Sequence, residues 1–306
     1  MENGNKKMAF GIPFKASEYT TALELCLHSI QKFVDCEYDV FLQIDITNEK
    51  LSEHFLKKQI QEMFPYIKTC CYKRKRTGDY TQALVNWVMS ESDADYMIFL
   101  HSDIFFYSDT AFENLLLPFK QDSSIAISGW EVPFSKYQST YHINDNVKKS
   151  FYIAPRLCTW LYAINATAYR ELQCSKNSLW LGNFHVFNLQ KEPFPKDMEQ
   201  KQFIKWISQF EEYKELECNG KTCLIDIGTF AKYYIDQKQI SFYSLGEMSN
   251  PDFNSMDLKY DPFGFVHIEQ YDPERFDNVF YKSDLLTKRT NELKALLSQY
   301  KTDVCN

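Results

Sequence analysis

Asp95-Tyr96-Met97-Ile98-Phe99-Leu100-His101-Ser102-Asp103 is the stretch on which the fold of this chain turns. Tyr96 to Leu100 is an unbroken apolar run, too short for a helix and without polar alternation, which predicts a strand buried on both faces. Strands of that kind lie inside parallel sheets covered by helices. His101-Ser102-Asp103 then sets a carboxylate at the strand's carboxyl end, where an open α/β sheet collects its ligands. Just upstream, Tyr80, Ala83, Leu84, Trp87 and Val88 recur at helical spacing, predicting a helix that Gly78 opens.

Towards the amino terminus the pattern repeats. Met8 to Ile12 predicts a strand, and Ser17 is placed to cap a helix with Leu23, Cys26, Leu27, Ile30 and Val34 on one face. Val40 to Ile44 predicts a second strand running into Asp45, followed by an amphipathic helix over 51–64 that Pro65 ends. Strands alternating with helices predict a parallel, doubly wound α/β sheet. Polar residues directly after its strands are the first candidates for a site: Asp45, and the group His101 to Asp103.

Beyond residue 110 the alternation weakens. Strand-like runs at 125–128 and 158–164 flank a polar stretch at 135–150, so mixed sheet and loops are expected there. Phe203, Trp206, Ile207, Phe210 and Tyr213 predict a helix over 197–216, another begins near Asp226, and the tail reads as an amphipathic helix from Ser283 to Tyr300. No internal repeat or low-complexity tract is evident.

With 306 residues, 44% of them hydrophobic, the chain can bury a core, which excludes general disorder. One domain over 1–283 followed by a helix at 284–306 is the expected organisation. The 34 Lys+Arg against 41 Asp+Glu give a net charge of -7, which argues against a nucleic-acid backbone as partner. Lys73 to Arg76 is a local exception, readable as a solvated loop or as a phosphate contact. No apolar run approaches the ~20 residues of a membrane span. Met1 to Lys7 leads into a short strand rather than a signal sequence, so a cytoplasmic address is expected, with peripheral membrane contact left open. Nine cysteines at irregular spacing suit reduced thiols better than a disulfide framework, and none has partners at zinc-ligand spacing.

Some residues have a chemical and a plain structural explanation side by side. Asp103 suits a divalent cation bridged to a diphosphate, or caps a turn. Trp130-Glu131 and Trp180 ahead of Gly182-Asn183 would suit an acceptor pocket, although single tryptophans are more often core. Asn165-Ala166-Thr167 matches a glycosylation sequon but falls at a strand-to-helix junction, which disfavours modification.

Gly78 to Asn86 followed by Asp95 to Asp103 resembles the GT-A glycosyltransferases, particularly those related to glycosyltransferase family 2. In these a glycine, an alanine and an asparagine on one helix precede a strand ending in a D-x-D motif. Phe10-Gly11-Ile12-Pro13-Phe14 and Leu27-His28-Ser29-Ile30 are similar to the family's first strand and helix, so the resemblance covers most of 8–108. It implies a Rossmann-like three-layer sandwich with a mostly parallel central sheet and a C-terminal helical extension. Residues 8–108 would bind a nucleotide sugar, and 109–283, with an insertion at 184–223, would shape the acceptor site.

The resemblance further implies that Pro13, Asp45, Gly78, Asn86, His101 and Asp103 hold the nucleotide, Asp45 at its base. Asp103 would ligate Mn or Mg, with His267 as a further ligand; imidazole favours manganese, and a satisfied core histidine is the plain alternative. His101 stands where the family has the first aspartate, which leaves its partner open among ribose, phosphate and metal. Leu224 to Lys232 resembles the family's acidic helix, reduced here to Asp226. In inverting members that aspartate is the general base; a helix cap is the competing explanation, and Glu131 is the reserve base.

The implied activity is inverting transfer from a nucleotide-diphosphate sugar, a UDP-sugar in the first instance, to a hydroxyl of a glycan or polysaccharide. Two alternatives stand beside it. A nucleotidyltransferase would want a glycine- and lysine-rich phosphate loop near the first strand, of which Gly11-Ile12-Pro13-Phe14-Lys15 is a poor version. The altered H-x-D would suit a non-catalytic scaffold that binds a nucleotide or glycan.

Overall fold

The computed structural model describes residues 7–15, 20–46, 53–73, 79–139, 149–174, 176–182, 184–185, 198–218, 223–248, 258, 260–268 and 283–305. The first third alternates as the apolar periodicities require: β1 (Met8–Lys15), α1 (Thr20–Phe33), β2 (Tyr38–Asp45), α2 (Glu53–Met63), β3 (Lys68–Tyr72), α3 (Tyr80–Glu91) and β4 (Tyr96–Leu100). Next come β5 (Ile104–Phe106), α4 (Thr110–Gln121), β6 (Ile127–Val132), β7 (Ser135–Ser139), β8 (Lys149–Ile153), β9 (Arg156–Asn165) and α5 (Ala166–Glu171). The remainder is β10 (Phe184–His185), α6 (Gln200–Ile207), α7 (Glu211–Cys218), β11 (Cys223–Ile225), α8 (Thr229–Asp236), β12 (Phe242–Glu247), β13 (Phe265–His267) and α9 (Ser283–Cys305).

Seven strands form the central sheet in the order β12-β6-β9-β4-β1-β2-β3. β4, β1, β2 and β3 are parallel to one another, β12 is parallel to β6, and β9 runs against both its neighbours. Side chains alternate across the sheet with the period of two that strands impose. Phe10, Leu42, Ile98 and Leu100 meet α1, α2 and α4 on one face, while Ala9, Phe41, Met97 and Phe99 meet α3, α5, α6 and α8 on the other. The fold class is therefore the expected one, an α/β three-layer sandwich on a mostly parallel sheet with a C-terminal helix.

Three local features depart from the sequence expectations, and a fourth, at Asn165, agrees with them. The segment after α2 contains the edge strand β3, which alternation did not flag because its residues are all partly exposed. α4 falls where regular alternation was expected to stop; Ala111, Phe112, Leu115, Leu116 and Phe119 bury one face despite Pro118 in its last turns. The helix expected over 197–216 breaks at Ser208, whose hydroxyl donates to the Ile204 carbonyl at 2.7 Å, and divides into α6 and α7. Asn165 caps α5 by accepting from the Ala168 N–H, and its amide donates to the Ser123 carbonyl at 3.0 Å, so the sequon side chain is committed to the fold. Among the described residues no helix is long and apolar enough to cross a membrane.

Because β6 and β4 are parallel and β9 is reversed between them, one rim of the sheet collects the ends of β1, β2, β4, β6 and β12 together with the start of β9. Neighbouring strands lie about 4.8 Å apart. Asp45 on β2 and Glu131 on β6 thus stand on either side of β4, each about 10 Å across the rim from it.

Candidate functional site

At the centre of that rim the chain leaves β4 in a tight turn. The His101 N–H donates to the Trp160 carbonyl of β9 at 2.9 Å, and the Ile104 N–H donates back to the His101 carbonyl at 3.1 Å. Asp103 sits in this turn. β5 then pairs antiparallel with β13, His267 opposite Ile104, and the Ile268 N–H donates to the Asp103 carbonyl at 2.9 Å. Two residues more than 160 positions apart are so brought side by side by backbone register.

Asp103 Oδ1 lies 3.3 Å from His267 Nε2 and 4.0 Å from His101 Nδ1. One ligand atom from each of His101, Asp103 and His267 falls within 4.8 Å of the others. Burial alone would push the Asp103 carboxyl up, but the adjacent His267, helped by His101, overrides it and brings it down to about 2. The carboxylate is therefore ionised at neutral pH and still 27% exposed at the rim. Two imidazole nitrogens and one carboxylate converging from a turn and a short ladder fit a divalent first-row ion. The His267 ring also lies 4.8 Å from the Trp160 ring, centroid to centroid, which fixes its orientation.

Asp226 and Glu131 occupy the β9/β6 side of the rim in a different state. Asp226 Oδ2 is 3.2 Å from Nε of the buried Arg156 at the start of β9, and Oδ1 accepts from the Ile227 N–H at 2.8 Å. It does not cap α8. Gly228 is the N-cap, at φ +89, where an added Cβ would also meet the Leu157 carbonyl oxygen at 2.6 Å. Glu131 Oε1 is 2.8 Å from Lys232 Nζ, Oε2 accepts from the Ser244 hydroxyl at 3.1 Å, and Lys232 reaches on to Asp236 at 2.6 Å. Glu131 thus ties β6 to α8 and β12.

The other expected residues are dispersed. Pro13 and Asp45 lie at the ends of β1 and β2, on the opposite flank of β4, with Asp45 buried. Gly78 is outside the described residues. Asn86 is exposed, six residues into α3, and accepts from Gln82 at 2.9 Å. Gln82 in turn holds the Lys176 carbonyl and the Trp180 N–H, so this pair anchors a turn. Trp130 and Trp180 are core: Trp130 packs against Phe263 and Phe265, and Trp180 stacks on Tyr162, itself stacked on Phe99. Sequence reasoning missed Arg156 and Trp160. A lone cation ahead of the apolar run 157–164 was the available signal for Arg156; nothing local signalled Trp160.

No protein-family model and no curated protein matches the chain. Among solved structures it is similar to CMP:2-keto-3-deoxy-manno-octonic acid synthetase complexed with CTP, at 13% identity over 76% of this chain and 97% of that one, TM-score 0.36. It is similar to 4-diphosphocytidyl-2C-methyl-D-erythritol synthase at 14% identity over 58% and 84%, TM-score 0.36. It is similar to a candidate nucleotide-diphospho-sugar transferase from Desulfovibrio desulfuricans G20 at 10% identity over 97% and 99%, TM-score 0.44.

Proposed function

We propose that the chain is a metal-dependent glycosyltransferase that moves a sugar from a nucleotide-diphosphate donor to a hydroxyl of a glycan or polysaccharide, with inversion. The convergence of His101, Asp103 and His267 at the carboxyl rim of the sheet carries this reading. These three residues would hold Mn2+ in preference to Mg2+, because two imidazoles suit the softer ion. When bound, the ion supplies a Lewis acid that offsets negative charge on the diphosphate.

The chain's own residues divide the remaining work by flank. Pro13 and Asp45 line the β1/β2 side, where the nucleotide would rest. On the β9/β6 side Asp226 takes the proton of the acceptor hydroxyl. The acceptor oxygen bonds to the anomeric carbon as the bond from that carbon to the diphosphate oxygen breaks, and the bonding pair leaves with the diphosphate. Arg156 and the Ile227 N–H each engage one Asp226 oxygen, which fixes the carboxylate's orientation while the side chain stays 27% exposed. Glu131, held by Lys232 and Ser244, ties β6 to α8, the helix that follows Asp226.

The test is incubation with Mn2+ and a panel of nucleotide sugars, followed by NMR of the released nucleotide and of the sugar anomer. Slow release of nucleoside diphosphate from one donor, with inverted sugar, is the expected result. Pyrophosphate released from a nucleoside triphosphate and a sugar phosphate would instead establish a nucleotidyltransferase. Retained configuration would remove Asp226 as base, and binding of a nucleotide without turnover of any donor would leave a scaffold.

A further inference from the structure

The antiparallel ladder of β5 and β13 that brings His267 to Asp103 has three residues in each strand. A two-stranded ladder that short is marginal by itself. Its register nevertheless decides the site, since a one-residue slip would turn His267 to the other face. Support must come from outside this ladder: Tyr260 also bridges to Val266, the Tyr107 N–H donates to the Gly264 carbonyl at 2.9 Å, and side chains pack on both faces. Ile104, Phe106 and Phe265 enter the core over the main sheet. Phe105, Val266 and Ile268 turn the other way, into a separate cluster with Ala22 and Leu25 of α1 and Leu293, Leu297 and Tyr300 of α9.

The residues on both sides of His267 are thus packed beneath the C-terminal helix. Tyr300 makes the most specific contacts there. Its hydroxyl donates to the Phe106 carbonyl of β5 at 2.5 Å, and its ring meets Phe105 edge-on at 6.2 Å. On the α1 side Phe33 lies 6.4 Å from the same ring and Lys32 Nζ 5.0 Å from its centroid. Lys301 Nζ, one residue on, is 2.6 Å from a Glu24 carboxylate oxygen of α1.

We propose that α9, through Tyr300, is a positioning element for the metal centre: it locks the β5/β13 register and so holds His267 against Asp103. This rests on reading His101, Asp103 and His267 as that centre. Tyr300 meets the ladder at the Phe106 carbonyl, two residues from Ile104 opposite His267, so it acts through the β5 backbone. Metal affinity then depends on a helix that begins 16 residues after His267 in the chain.

The test measures Mn2+ affinity by EPR titration of the full-length protein, with thermal unfolding in chelator, for Tyr300→Ala, Tyr300→Phe and Leu297→Ala. Ile60→Ala, a buried α2 residue on the far flank of the sheet, is the control. Tyr300→Ala is expected to weaken Mn2+ by roughly tenfold or more, the scale seen when outer support of a ligand is removed. Tyr300→Phe, which keeps the ring and loses the hydrogen bond, is expected to weaken it by about threefold. Ile60→Ala should lower the melting temperature without changing Mn2+ affinity.

Wild-type affinity in Tyr300→Ala, or an equal loss in Ile60→Ala, would overturn the proposal. Should Tyr300→Ala fail to fold, Tyr300→Phe and Leu297→Ala decide the question on the same terms. A wild type that takes up no Mn2+ removes the metal centre and the clamp together, whereas wild-type uptake unaffected by the α9 variants removes the clamp alone.

Discussion

The two flanks of β4 handle acidic side chains in opposite ways. Around β4, β5 and β13 a carboxylate and two imidazoles converge within 4.8 Å with no lysine or arginine paired to the carboxylate among the described residues. Around β6, β9 and α8 each acid already has its cation, Arg156 for Asp226 and Lys232 for Glu131. The first carboxylate is met by imidazoles, whereas in the second Asp226, Glu131 and Asp236 share the two fixed cations Arg156 and Lys232. The first site is therefore the one proposed to take a cation from solution, and the second the one proposed to act through orientation and proton transfer.

Asp226→Asn is the sharpest way to break that contrast. If Asp226 is the base, turnover falls by roughly 10^2- to 10^4-fold, the usual contribution of a positioned proton acceptor, with Mn2+ affinity unchanged. Near-normal turnover would reduce Asp226 to a tether for Arg156. Gly182→Ala should come next in size. A Cβ there would lie 2.3 Å from the Ile227 nitrogen and 2.7 Å from the Asp226 carbonyl carbon, so the segment carrying Asp226 must shift. A displacement of about 1 Å predicts a loss of roughly 10^2 in kcat, measurable beside an unaltered Mn2+ titration.

Glu131→Gln should have the smallest effect on turnover, within a few-fold, and a larger one on stability. It gives the Lys232 ammonium, 18% exposed, a neutral amide oxygen where a carboxylate stood, at a cost of about 1–3 kcal/mol by chemical denaturation. The pH dependence has a definite sign. Burial pulls the Lys232 pKa down, and Asp236 and Glu131 more than reverse this, so it stands above its ordinary 10.5. A raised pKa stabilises the fold while the group is protonated. The difference between wild type and Glu131→Gln is therefore whole below pH 10.5 and closes as the pH rises past it. A kcat collapse in Glu131→Gln would instead make it the base.

How far the sequence could be read follows the same division. The first half was legible because β1, β2 and β4 are largely buried, which writes apolar runs, and α1 to α3 bury one face, which writes helical periodicity. His101 and Asp103 stood out as polar residues after the most apolar strand. His267 was named through family resemblance, and its meeting with Asp103 depends on a three-residue ladder that no local pattern announces. On the other flank Asp226 and Glu131 were named without their cations. Arg156 and Lys232 are 70 and 101 positions from the acids they meet, and only the fold pairs them. α4 was legible in principle from its buried positions 111, 112, 115, 116 and 119, but Pro118 and the weakening alternation masked it.

The most direct test of the central claim is calorimetric titration of nucleoside diphosphates into the wild type and Asp103→Ala, each with and without Mn2+. Asp103 is a rim residue that contributes little packing, so the variant should keep the fold, with a modestly lower melting temperature from loss of the His267 contact. The account predicts tight binding of one nucleotide by the wild type only when Mn2+ is present, weakened by more than about 100-fold in Asp103→Ala. Binding that is indifferent to Mn2+, or that survives intact in Asp103→Ala, would contradict it.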